Sequence, residues 1–266
     1  MNSTTRLLAP SDRVPLARFL AAHGTHRFQL DRVFAWRGSA RYVADLLLGV
    51  AAAHARVAVD ARGNIRGVIA FGERAWDSDH FGFPVARIDH LYAADVTGAH
   101  TLLRAFDRWA KRTRIRFASL RTYPTPAVIQ ALTENHFSYI EDDLYLSRAL
   151  PANPKAIRVP VIARARLREG NVEDLPRLMH IVSKTEWFNR FHRDPHISRR
   201  AADGVYLRWL KAGVRKPDAR LTILDVGGKV AGFVLWSTEK LRRAGAETLI
   251  GNQELVALNP RLRGKG

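Results

Sequence analysis

The closing residues of the chain, Val256 to Gly266, hold its densest set of groups suited to an anion. They read as the end of a buried strand, a turn at Asn259-Pro260, and then Arg261-x-x-Gly264-x-Gly266 with Arg263 and Lys265 interleaved. Glycine lets backbone approach an anion and adopt angles that side chains forbid, and successive N–H groups can converge as a nest. Arg263 and Lys265 add positive charge. A pyrophosphate is the guest such a loop suits.

Just upstream, Glu254 lies on the strand leading into this turn and is placed to draw a proton through a water. A second set of candidates occupies the aromatic and basic loop Trp187 to His196. Arg190 and Arg193 offer guanidinium groups for bidentate pairing with phosphate. His192, His196 and, on the next helix, Tyr206 add polar side chains in and beside the same loop. His192 and His196 have the spacing of a helix-face metal pair. Pro195 breaks that helix and no third ligand is evident, so no metal is expected.

These groups need a packed chain to hold them. With 266 residues and 47% hydrophobic content, the chain has room for one large domain or two ordinary ones and reads as globular. The absence of cysteine excludes disulfides, cysteine-based zinc sites and thiol catalysis together. The N-terminal residues lack the apolar core of a signal peptide, and the most apolar run, Val43 to Val59, is interrupted by Asp45, His54 and Arg56. A soluble cytoplasmic protein with no membrane partner is therefore expected. A net charge of +18 attracts anions, phosphorylated small molecules among them. No basic block with interleaved aromatics is present, so nucleic acid is not an expected partner.

Hydrophobic periodicity predicts helices over Ser11–His23, Tyr42–Ala53, His100–Lys111 and Pro126–Asn135, with a loop holding Arg27, Phe28, Arg32 and Trp36 between the first two. Strands are expected over Ala55–Asp60, Arg66–Phe71, Val85–Leu91 and Phe117–Arg121, and in a pair of segments running to Leu150. Three prolines between Pro151 and Pro160 mark a linker. After it the same order begins again. A strand at Ala163–Arg168 precedes a helix capped by Asn171, with Asp174 in the capping-box place, that runs through Lys184. A helix at Arg199–Val214, a hairpin around Val226-Gly227-Gly228-Lys229 and a last strand at Leu255–Leu258 complete it. The hairpin pattern Asp-x-x-Gly-x-x-x-Gly occurs twice, as Asp60 to Gly67 and Asp225 to Gly232. That recurrence predicts an internal repeat at domain scale.

The Arg-x-x-Gly-x-Gly loop after an apolar strand resembles the acetyl-CoA loop of the GCN5-related N-acetyltransferases. The doubled hairpin resembles their second and third strands. The resemblance implies tandem α/β domains of this kind, each a mixed central sheet flanked by helices: residues 1–150, a linker 151–160, and an acetyl-CoA-binding domain 161–266. The first is expected to be degenerate, because Tyr92 to His100 has no Gly-x-Gly and carries Asp95 where an anion would sit. The second is expected to stop after its fourth strand, and an open sheet edge there favours aggregation or pairing with another chain, including a homodimer.

It further implies that acetyl-CoA lies along Leu255, Val256, Ala257 and Leu258, with Arg261, Leu262, Arg263, Gly264, Lys265 and Gly266 around its phosphates. Backbone N–H groups of that strand would hold the oxyanion. A tyrosine acid for the thiolate would belong to a segment beyond it. Two patches, Trp76 to Pro84 followed by Arg87-Ile88, and Asn189 to His192 with Tyr206 and Trp209, resemble more narrowly the TDP-fucosamine acetyltransferases. That narrower resemblance implies a nucleotide-linked amino sugar as acceptor, contacted by Arg190, His192, Arg193 and Tyr206. Another small-molecule amine (antibiotic, amino acid or peptide) and an inactive truncated product or binding module stay open as alternatives.

Overall fold

A computed structural model describes residues 3–24, 38–50, 54–123, 125–143, 146, 148–151, 153, 164–243 and 246–263. The loop residues Arg27, Phe28, Arg32 and Trp36, most of the linker, and Gly264, Lys265 and Gly266 lie outside them. The chain forms two compact units, Met1–Ala149 and Leu150–Gly266.

The first unit is built on a sheet in the order β1 (Thr4–Leu7), β2 (Ala55–Val59), β3 (Ile65–Glu73), β4 (Val85–Ala93), β5 (Phe117–Leu120). Neighbours are antiparallel except β4 and β5, which run parallel. Helices α1 (Arg13–His23) and α2 (Ser39–Gly49) bury Leu16, Phe19, Leu20, Val43 and Leu47 against Val57, Val68 and Ala70 on one face. On the other face α4 (Val96–Arg112) and α5 (Pro126–Glu134) bury Leu102, Leu103, Phe106 and Val128 against Ile69, Phe71 and Ile88. Each fully buried Leu or Ile contributes about 2 kcal/mol. A short α3 (Ala75–Phe81) joins β3 to β4 and ends on Gly82, whose φ of 73° suits a residue without a Cβ.

The second unit runs β6 (Ala165–Glu169), α6 (Leu175–Lys184), α7 (Arg190–Arg193), α8 (Arg199–Gly213), β7 (Ala219–Val226), β8 (Lys229–Arg243), β9 (Ala246–Leu258), so that, as in the first unit, a strand and helices precede an antiparallel hairpin. Its antiparallel sheet packs Leu221, Ile223, Phe233, Leu235 and Leu255 on Leu178, Ile181, Val182 and Leu210 of α6 and α8. The β7–β8 turn is Gly227-Gly228 with φ 57° and 77°, the geometry that matches strand twist in a two-residue hairpin.

The same staple opens both units. Arg6 donates from both Nη atoms to Asp12, at 2.6 and 2.7 Å, and Asp12 also accepts from the amide of Ala9. Arg168 grips Asp174 at 2.9 and 2.6 Å, and Asp174 accepts from the amide of Asn171. In each case the carboxylate is buried and the following helix begins beside it.

Several elements differ from expectation. The second helix spans Ser39–Gly49, a few residues earlier than Tyr42–Ala53. Helix α4 begins at Val96, because Asp95 caps it by accepting from Gly98 N at 2.7 Å. Strand β1 has no signal in the sequence pattern, and no strand occurs among the described residues of 136–150. The last strand is far longer than Leu255–Leu258, because β8 and β9 pair from Arg243↔Ala246 to Gly232↔Leu258.

The two hairpins align through Gly67 and Gly232, which pair with Ala58 and Leu224. Their aspartates do not align. Asp60 sits in its turn, accepting from the amides of Arg62 and Asn64, whereas Asp225 lies on its strand and accepts from Arg168 Nε at 2.7 Å.

Candidate functional site

Strand β9 is not a uniform ladder. Leu235 pairs with Leu255 and Trp236 with Gln253, so Glu254 is the extra residue of a β-bulge. In the first unit Ala70 pairs with His90 and Phe71 with Ile88, which makes Asp89 the extra residue of β4. The two sheets thus bend at matching places, each with a carboxylate at the bend. Nothing in local periodicity signals this feature; it exists only in the pairing of strands.

Glu254 is half-buried and accepts from Lys216 Nζ at 3.3 Å, just past the end of α8. Beyond the bulge, Leu255 and Ala257 point into the core, while Val256 and Leu258 are more than two-fifths exposed on the opposite face. The amide of Asn259 then donates to Ala231 O at 2.7 Å, and Pro260–Leu262 forms a 3-10 turn. That turn uses its own amides: Arg261 N donates to Asn259 Oδ1 and Leu262 N to Asn259 O. The converging N–H groups expected of an anion nest are therefore not those of Arg261 and Leu262, whose contribution is side-chain charge and turn shape. Arg261 is exposed, and Arg263 reaches back to Thr185 Oγ1 at 3.3 Å, at the end of α6.

The segment between α6 and α8 is held together by side-chain hydrogen bonds and ring contacts. Asn189 caps α7, accepting from Phe191 N at 2.8 Å, and its amide donates to Tyr206 Oη at 2.9 Å. His192 Nδ1 lies 3.2 Å from Asn189 N and 2.9 Å from Asn189 Oδ1, and Nε2 lies 3.0 Å from Asp203 Oδ1. Both ring nitrogens are engaged within the fold, and the side chain is 5% exposed. Tyr206 stacks on Trp187 with centroids 3.9 Å apart. Arg190 lies over Phe191 and Arg193 over Phe188, at 4.3 and 4.6 Å. Arg190, His192 and Arg193 thus share α7 and meet Tyr206 of α8 through Asn189, with His192 turned inward, while Phe188 and Arg193 face solvent. His196 is exposed, its amide donating to Asp194. Among the described residues no group of three His, Asp or Glu is placed to hold a metal, and no helix is long and apolar enough to cross a membrane.

In the first unit the corresponding turn starts from the same hydrogen bond, Ala94 N to Arg66 O at 2.9 Å. There Asp95 fills the helix N-terminus with its own carboxylate and also pairs with Arg66.

No protein-family model matches the chain, and no curated protein matches it. Solved structures do. A GCN5-related N-acetyltransferase from Sphaerobacter thermophilus is similar over 99% of this chain and 78% of its own, with TM-score 0.53 and 15% identity. A ribosomal-protein-alanine N-acetyltransferase from Brucella melitensis biovar Abortus 2308 aligns with 56% of this chain and 100% of its own, at TM-score 0.42 and 20% identity. An aminoglycoside antibiotic 6'-N-acetyltransferase from Acinetobacter baumannii aligns over 56% and 100%, at TM-score 0.38 and 12% identity. The mixed first sheet and the antiparallel second one, both packed on helices, with the likeness to the first of these over 99% of the chain, show the fold of the GCN5-related N-acetyltransferases.

Proposed function

We infer that the chain is an N-acetyltransferase that takes its acetyl group from acetyl-CoA and passes it to the amine of a small molecule. The observation that carries this reading is the bulge of β9 at Glu254, set directly before a cationic turn. A bulge leaves strand amides without ladder partners, and such amides can receive a carbonyl oxygen as it becomes an oxyanion. Leu255, Val256, Ala257 and Leu258 would carry the thioester arm. Arg261, Arg263 and Lys265 would neutralise its phosphates, with Leu262, Gly264 and Gly266 shaping the turn.

In this mechanism Glu254 draws a proton from the bound ammonium through a water. The freed amine attacks the thioester carbon, the C–N bond forms as the C–S bond breaks, and the proton that the nitrogen sheds passes to the leaving thiolate. Lys216 orients the Glu254 carboxylate. A nucleotide-linked amino sugar is the acceptor that the loop from Trp187 to His196 suits best. Arg190 and Arg193 would face its phosphates, and Tyr206 its sugar. His192 would act as a positioning residue, since both its nitrogens are held by Asn189 and Asp203. In this reading the first unit, residues 1–150, is a copy that has lost cofactor binding, Asp95 standing in for the phosphate. Residues 161–266 hold the acetyl-CoA site.

The test is calorimetric titration of the whole chain with acetyl-CoA, beside Arg261→Ala and Gly264→Asp. Saturable binding that weakens at least about tenfold in both variants is expected, about 1.4 kcal/mol or more each. A folded chain that gives no heat with acetyl-CoA overturns the reading.

A further inference from the structure

The first sheet carries a polar strip at its own bulge. Hydrogen-bonded pairing of β4 with β5 ends at Ile88 opposite Leu120, and Asp89 follows as the extra residue of the β3–β4 register shift. From Asp89 to Ala93, no strand among the described residues pairs with β4 on the β5 side. Asp89 is held by two guanidinium groups, that of Arg74 and that of Arg87, whose Nε lies 2.7 Å away. Two cations on one carboxylate leave a net positive charge. Moreover, Nε of Arg74 is buried with no hydrogen-bond partner among the described residues. A donor in that state costs stability until an acceptor reaches it.

Along the same strand the rings of His90 and Tyr92 stack, centroids 6.0 Å apart, both half-buried. Burial pushes the His90 imidazole below its ordinary range and the Tyr92 phenol above its own. Both are therefore neutral at pH 7 and offer hydrogen bonds without charge. Gly72 is the register partner of Arg87, and a Cβ at Gly72 would meet no atom within 4 Å. The guanidinium of Arg87 thus borders open space, and its side chain is 44% exposed. Asp89 and Asp95 on the same unit disfavour a dianion, whereas a single carboxylate matches both the one excess charge and the planar fork of an arginine.

We propose that this strip of the first unit binds a small monocarboxylate, its carboxylate on Arg87 and its body against the His90–Tyr92 stack. The probe is N-acetylglycine titrated into the whole chain, with the ring signals of His90 followed by NMR and the neutral N-acetylglycinamide as control. The carboxylate is expected to shift His90 saturably and the amide to leave it unmoved. Arg87→Met should weaken the response at least about tenfold, a change of about 1.4 kcal/mol. Gly72→Leu, which fills the space beside Arg87 without removing a charge, should abolish it. Unchanged thermal melts would show that both variants fold. An unmoved His90, an equal response to the amide, or an unchanged response in Arg87→Met overturns the proposal. Acetyl-CoA titration of the same variants reads the second unit separately, so either reading can fail without the other.

Discussion

The turns that follow β4 and β9 start from the same backbone hydrogen bond and end in opposite chemistry. After β4 the next side chain is Asp95, whose carboxylate caps α4 and pairs with Arg66. After β9 the corresponding position is Pro260, and the charges that follow are Arg261 and Arg263. One turn brings its own anion; the other has none and is surrounded by cations. The two units thus share a strand bulge, a staple and the start of this turn, and differ in whether a carboxylate of the chain itself occupies it.

Exchanging that side chain should have the largest effect. Pro260→Asp is expected to weaken acetyl-CoA binding by more than about tenfold, or 1.4 kcal/mol, in calorimetry. Undiminished binding would mean that the two turns are not functional counterparts. The staples come next. Asp12→Ala and Asp174→Ala should each cost about 3 kcal/mol, as buried carboxylates lost from an arginine pair do, read by urea unfolding. Arg168→Met should cost more than Arg6→Met, since Arg168 also holds Asp225. Equal losses would break that distinction.

Gly67→Ala and Gly232→Ala test the aligned hairpins. A Cβ at Gly67 would lie 2.8 Å from Leu102 and 2.9 Å from the Tyr92 carbonyl; one at Gly232 would lie 2.5 Å from Leu258 and 2.7 Å from the Ala257 carbonyl. Each should cost about 2 kcal/mol from overpacking. Gly67→Ala should be the worse, because Leu102 is fully buried whereas the exposed Leu258 can swing aside. Asp95→Ala should remove about 1 kcal/mol as a lost helix cap.

The smallest effect is on pH. Hydrogen bonds from Arg6 and Arg168 hold Asp12 and Asp174 below the ordinary carboxylate value of 3.8. A depressed folded value gives stability that is complete above 3.8 and lost as pH falls through the lower one. Tm should therefore fall on acidification below pH 3.8, and Asp12→Asn with Asp174→Asn should flatten that fall.

Much of the architecture was legible because its signals are local. The apolar spacing of Leu16, Phe19 and Leu20, the Asn171–Asp174 box and the Gly227-Gly228 turn each act within a few residues. Other parts were not legible. Thr4–Leu7 is a short, largely exposed edge strand with no alternation, and the outer arms of β8 and β9 carry Ser, Thr, Glu, Lys, Asn and Gln that read as loop. Their extended form comes from pairing with each other.

By itself, then, the sequence determined the apolar faces of the main helices, the Gly227-Gly228 hairpin and the cationic turn at Arg261, since those depend on periodicity, turn chemistry and charge along one stretch of chain. Only the tertiary structure decided that Asp89 and Glu254 sit on bulges, that Asp60 and Asp225 fall out of register, and that His192 turns to Asp203. The reason is physical: strand register and side-chain partners are settled between segments distant in sequence, where a shift of one residue changes which face each side chain meets.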